Sequence, residues 1–449
     1  MKDTKLYQSL RKEIQGIGLV DAHNHLFKEE DWVSCPQDFT SLLGYAGADL
    51  VNAGMPLDAL PAGMDERWKV DMGYTPEDNM SSEEKWSKIK KYWPYVKNIG
   101  SGDVVRTALK LLFDCDDLNE ETIPLIDAKI AQYKKAGVYK ELLQGKANID
   151  TVCNVALNID ECPATDLIAP QLYTDTYANV QKRRDIYRLE QESGQDIYSI
   201  ETYVQALDSL IDKSVEKGLI GFKWHIWPYL RDFNFEASSA AEASKCLNRI
   251  FKMPARGGAG SEESVGIDEM IPFHNYIQNH IVHRAIELDF PIQIHTGTFG
   301  LSYGGPINNG DPSKLIDLFL RYPQARFNLL HTSFPYTRLA GAIAHVFPNV
   351  HINASWLDIL SPQSYKSFMK DWLTGIPHNK IFAYGADQYN PLLVPAIASR
   401  VRDFLSEVLS ELIVEGNMSE DEALFAADCI LRKNANDYWK LDKRIIPGK

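Results

Sequence analysis

Four histidines and one aspartate stand where apolar runs end. His23 and His25 lie in DAHNHL, His295 closes PIQIH, His331 closes FNLLH, and Asp387 sits in YGADQYN. In an extended strand alternate side chains share a face, so Asp21, His23 and His25 point the same way. Two neutral imidazoles side by side grip one divalent ion, and a third histidine with a carboxylate nearly completes its coordination. Such an ion lowers the pKa of water from about 15.7 to near 7. A neighbouring carboxylate can then carry the released proton to a leaving group. An isolated HxH is weak evidence for any of this. The ordered set is much more specific: HxH on a first strand, histidines on two later ones, an aspartate after the last.

Those positions require strands that end at one common site. Short apolar runs at 18–26, 149–156, 165–171, 220–227, 291–295, 326–331, 349–353 and 380–385 read as strands. Helical patterns at 199–217, 268–289, 312–322, 335–346 and 362–374 lie between the later ones, and 393–415 and 419–432 close the chain. Mostly apolar strands alternating with helices predict α/β architecture, a (β/α)8 TIM-type barrel whose active site lies at the carboxyl ends of its strands. One barrel domain over 1–449 is expected. Residues 28–146 break the rhythm and read as a helical insertion after the first strand, with helices at 83–97, 103–114 and 119–136. Residues 231–265 contain RGGAGSEES, flexible by composition and long enough for a lid.

Composition narrows the class further. Of 449 residues, 47 are basic and 61 acidic, giving 47 − 61 = −14, the wrong sign for a general nucleic-acid binder. No window approaches 18 consecutive apolar residues, and the N-terminus has no apolar signal core, so a cytoplasmic protein without a membrane span is expected. The six cysteines form no CxxC pair and read as reduced, mostly packed thiols. A small-molecule substrate and a homo-oligomeric state are the expected partners.

DAHNHLF, GFKWH, IQIHTG, NLLHTSFP and YGADQY, in that order, resemble the amidohydrolase superfamily. The likeness is greatest to its amidohydrolase-related group of metal-dependent hydrolases, decarboxylases and, more distantly, uronate isomerases. It runs from about residue 18 to NANDYWKL near 441, and SLLGYAGADLVNAGMP looks like the helical insertion of uncharacterised members. The resemblance implies metal ligands at His23, His25, His295 and Asp387, with Asp387 also taking the proton. It implies for His331 either a second-metal ligand or an acid/base group. Lys223 in GFK matches the lysine that is carboxylated and bridges two ions in binuclear members; in mononuclear ones a basic residue here meets substrate. The long stretch between Lys223 and His295 fits the binuclear spacing poorly. One ion and an uncarboxylated Lys223 are therefore expected, with two ions if Lys223 is carboxylated. Histidine and carboxylate ligands suit Zn2+, Mn2+, Fe2+ or Co2+, zinc being the default.

Other polar residues have a plainer reading beside the functional one. His225 shares the Lys223 face of its strand and is a substrate-binding candidate. Trp224, Trp227 and Tyr229 form either a packed aromatic cluster or a wall for substrate, and Arg231 and Arg256 either meet a substrate carboxylate or are solvated. His274, His280 and His283 read as a helix face; His345, His351 and His378 as structural. Asn308, Asn309 and Asp311 read as a turn and helix cap that could lie near the site, and Asp358 shares that ambiguity. The expected function is hydrolysis of an amide, ester or lactone of a small polar molecule. The alternatives are a decarboxylase or uronate-type isomerase on the same scaffold, and a metal-binding scaffold without turnover.

Overall fold

The computed structural model describes residues 4–56, 80–253, 264–299 and 305–447. Eight strands follow one another in sequence order in one sheet: β1 (Leu19–Asn24), β2 (Ile149–Ala156), β3 (Ile168–Tyr173), β4 (Gly221–Trp224), β5 (Pro291–His295), β6 (Arg326–Leu330), β7 (Val350–Asn353) and β8 (Ile381–Phe382). The fold is the expected (β/α)8 barrel. Strands such as β1, β4 and β5 are buried along their whole length, which is why they read as apolar runs rather than alternating ones. Among the described residues no helix is long and apolar enough to cross a membrane.

The chain divides into two compact units. The first holds residues up to Asn154 and Asn353–Asn436; the second holds Val155–Thr298, Gly305–Ile352 and the residues from Asp437. In the first, a helix not anticipated from sequence, Lys5–Gly16, begins where the Thr4 hydroxyl accepts the Tyr7 N–H and buries Tyr7, Leu10 and Ile14. The described residues of 28–146 hold several helices, with boundaries that differ from those expected. The helix expected at 83–97 is two, Ser82–Ile89 and Trp93–Val96, the second restarting with Pro94, which has no N–H to continue a helix. The one expected at 103–114 begins at Gly100, where a Cβ would lie 1.9 Å from the Ile359 carbonyl. Residues 57–79 of the insertion lie outside the described residues.

β8 is two residues rather than six. Beyond Phe382 the backbone finds other partners: Ala383 donates to the Ile430 carbonyl, and Tyr384 accepts the Ala22 N–H. Gly385 permits this close approach, since a Cβ would lie 2.6 Å from the Ser355 Cβ and 3.1 Å from the His23 nitrogen.

In the second unit the parallel register aligns Tyr173, Lys223, Gln293, Asn328 and His351 in one row. Two residues further along, on the same face, stand His225 and His295. Within 231–265 one stretch among the described residues is helical. Ala240–Phe251 is a helix with a Ser239–Glu242 capping box, and it buries Ala243, Cys246, Leu247 and Ile250. Composition pointed to the glycine-rich end and overlooked this amphipathic stretch. Residues 254–263, with Arg256, lie outside the described residues.

Candidate metal centre and active-site residues

His23, His25 and Asp387 converge in the first unit. All three are buried, and one donor atom from each lies within 4.8 Å of the others; among the described residues no other three His, Cys, Asp or Glu side chains do so. Asp387 Oδ1 lies 3.1 Å from His25 Nε2 and 3.4 Å from His23 Nε2. The two imidazoles meet edge to face, ring centroids 4.7 Å apart, as strand alternation requires. Two nitrogens and a carboxylate oxygen facing a common point form a donor set suited to a divalent cation.

Local hydrogen bonds hold this arrangement. Asp387 has φ +52°, a left-handed conformation that aspartate tolerates better than most residues, and its N–H donates to the His23 carbonyl. The Asp21 carboxylate accepts from the backbone N–H groups of His23 and Ala386 and from the Asn24 amide. Asn24 Oδ1 accepts in turn from the N–H groups of His25 and Gln388. Burial pushes the Asp21 carboxyl up to about 7 against these donors. Asp21 therefore ties β1 to the segment carrying Asp387. Asp358, also in this unit, is buried and ion-paired to Arg400, which also meets Asp103. Burial raises the Asp358 carboxyl to about 6 despite that guanidinium.

The second unit gathers His225, His295 and His331. His331 Nε2 and His295 Nδ1 are 3.0 Å apart, while His295 Nε2 is 3.0 Å from the Thr298 carbonyl. A carbonyl can only accept, so His295 carries its proton on Nε2 and its Nδ1 accepts the His331 N–H. Burial, with His331, His225 and Lys223 nearby, holds His295 well below the usual imidazole range, so it is neutral. Its Nδ1 lone pair is the atom a metal would use, in exchange for the His331 hydrogen bond. His331, Thr332 and Ser333 all have positive φ, between 47° and 58°. A hydroxyl pair, Thr296 with Ser333 at 2.7 Å, secures this turn.

Lys223 is fully buried on β4. Beside it stands a residue the sequence reading missed. Asp175, just beyond β3, accepts the backbone N–H groups of His225 and Ile226 and interacts electrostatically with Lys223. Burial lifts its carboxyl to about 6. Its only sequence signal was a carboxylate two residues past a strand end. His225 is half-buried between Tyr173, Tyr229 and His295.

Trp227 and Arg231 are placed differently from a substrate-facing pair. Trp227 has no exposed surface and packs against Phe235 and His274; the plainer reading, a packed cluster, describes it. Arg231 lies over the Trp227 and Phe235 rings and donates to Asn275 Oδ1 and the Asn234 carbonyl. His274, expected on a helix face, is buried in the same cluster, and burial lowers it to about 3. Asp311 caps residues 312–315 as expected, and Asn309 donates to the Pro228 carbonyl. Tyr389, which stacks on His25 at 5.2 Å, was also missed, although it lies two residues beyond Asp387 in the quoted motif.

An amidohydrolase family model matches residues 254–382, a span that includes His295 and His331. The fluG protein of Emericella nidulans is 28% identical over 155 residues, 34% of this chain and 18% of that protein, so the chain matches a little under a fifth of its relative's length. A uronate isomerase of Thermotoga maritima superposes with TM-score 0.76 at 17% identity, covering 97% of both chains. A putative metal-dependent hydrolase of Lactobacillus casei gives TM-score 0.64 at 15% identity, covering 97% of this chain and 98% of its own.

Proposed function

We propose that the chain, which matches an amidohydrolase family model over residues 254–382, is a metal-dependent hydrolase acting on an amide, ester or lactone of a small polar molecule. The convergence of His23, His25 and Asp387 carries this reading. A divalent ion, zinc by default, would supply Lewis acidity there and make water a nucleophile near neutral pH. Asp387 would hold the ion and accept the proton, placed by the Asp21 and Asn24 hydrogen bonds. The sequence resemblance adds His295 as a further ligand and His331 as the acid/base group; the Nε2–H that His331 turns toward His295 is a proton of the required kind. Lys223 and His225 would orient substrate.

A second reading, isomerisation of a uronate-type sugar, is favoured by likeness to a uronate isomerase across 97% of both chains, which includes the insertion. Decarboxylation on the same scaffold is a variant of that reading. Turnover in 18O-labelled water separates them. Hydrolysis places the label in a product carboxylate, whose oxygens do not exchange at neutral pH, whereas conversion of an aldose to a ketose with no labelled carboxylate refutes the hydrolase reading.

A further inference from the structure

The imidazole of His25 is held on two sides. His23 meets it edge to face, with ring centroids 4.7 Å apart; Tyr389 stacks on it, with centroids 5.2 Å apart and planes inclined by 29°. The backbone is fixed separately. The His25 N–H donates to Asn24 Oδ1 at 3.0 Å and to the Gln388 carbonyl at 3.3 Å, which brings the chain to Tyr389 at the next residue. Phe27 backs the tyrosine, its ring centroid 5.9 Å away. Tyr389 is half-buried and lines a cleft with Phe27 and Gln388, whereas His25 is buried and outside that lining. Tyr389 thus touches both the cleft and the imidazole.

The other close contact of this ring uses the nitrogen that an ion would take. His25 Nε2 lies 3.1 Å from Asp387 Oδ1, and it cannot both donate there and offer its lone pair to a metal. A stack on the ring face involves neither the proton nor the lone pair, so it persists whichever partner Nε2 has. We propose that Tyr389 is a positioning residue for His25: its ring holds the imidazole in the orientation that ligates, both before an ion arrives and while it is bound. This rests on the reading of His23, His25 and Asp387 as the metal centre. Without the flat face, the imidazole is free to turn about its Cβ–Cγ bond. Binding must then order it, and the bound ring settles differently.

Co2+ alone is the probe, since it takes the same nitrogen and oxygen donors as zinc and its visible bands report how those donors are arranged. The full chain is titrated with Co2+ against a chromophoric chelator as wild type, Tyr389→Phe and Tyr389→Leu. Phenylalanine keeps the flat face and drops the hydroxyl; leucine keeps apolar bulk without a ring, and Tyr389→Met replaces it if the leucine variant does not fold. Tyr389→Phe is expected to match the wild type in Kd and spectrum. Tyr389→Leu should bind Co2+ roughly threefold to tenfold more weakly, the worth of one aromatic pair, and shift the visible bands. Three results would overturn the proposal: wild-type Kd in Tyr389→Leu, weaker binding with an unshifted spectrum, or Tyr389→Phe as weak as Tyr389→Leu. Undiminished Co2+ binding in His23→Ala would instead refute the metal centre itself, whatever the Tyr389 variants do, and the proposal would fall with it.

Discussion

Asp387→Asn isolates the charge at the centre of the proposed site. Asparagine keeps the shape and tolerates φ +52°, so the backbone and the Asp387 N–H bond to the His23 carbonyl should persist. It removes the anion 3.1 Å and 3.4 Å from the two imidazole nitrogens. Losing a residue that only supports a metal ligand costs about 10–100-fold in affinity, so losing a ligand's charge should cost at least 100-fold, about 2.7 kcal/mol. At a zinc concentration 100 times the wild-type Kd, binding stabilises the wild type by about 2.7 kcal/mol; in the variant the same zinc stabilises by about 0.4 kcal/mol. With about 2.1 cal/mol/K per residue over 449 residues, unfolding in one transition has an entropy near 0.9 kcal/mol/K. Zinc should therefore raise the wild-type Tm by about 3 °C and the variant Tm by under 1 °C, with similar Tm values in chelator. Competition against a chromophoric chelator measures Kd directly, and scanning calorimetry measures the shifts. A variant that binds zinc with wild-type affinity would refute Asp387 as a ligand.

The metal count turns on Lys223: one ion per chain with or without bicarbonate is expected by elemental analysis, whereas two ions, the second lost in Lys223→Ala, would show a bridging carbamate. Arg400→Met leaves Asp358 buried without its guanidinium and should cost about 3–5 kcal/mol near neutral pH, read from urea unfolding. The pH dependence has a definite sign. The folded Asp358 carboxyl, at about 6, lies above its unfolded value, so its contribution is greatest below about pH 4 and declines as pH rises through 6. Removing the cation extends that decline upward, so the variant's deficit should shrink at pH 5; an equal deficit at pH 5 and 8 would count against the assignment.

Periodicity alone placed much of the frame. Runs buried on both faces, spaced by helical stretches, can be satisfied by a parallel sheet covered by helices, and the barrel follows from their number and order. The two-residue spacing of His23 and His25 put both imidazoles on one face, because a strand's side-chain period is a local property of the backbone. Tertiary structure decided what depends on residues far apart in the chain. Asp387 reaches His23 because Asp21 and Asn24 capture backbone groups more than 360 residues away. β8 stops at Phe382 because Ile430 takes the next N–H, an event no run of hydrophobicity records. The order of residues 240–251 and the burial of His274 were likewise invisible in composition. Burial and hydrogen-bond satisfaction belong to the packed chain, whereas side-chain period belongs to each short segment on its own.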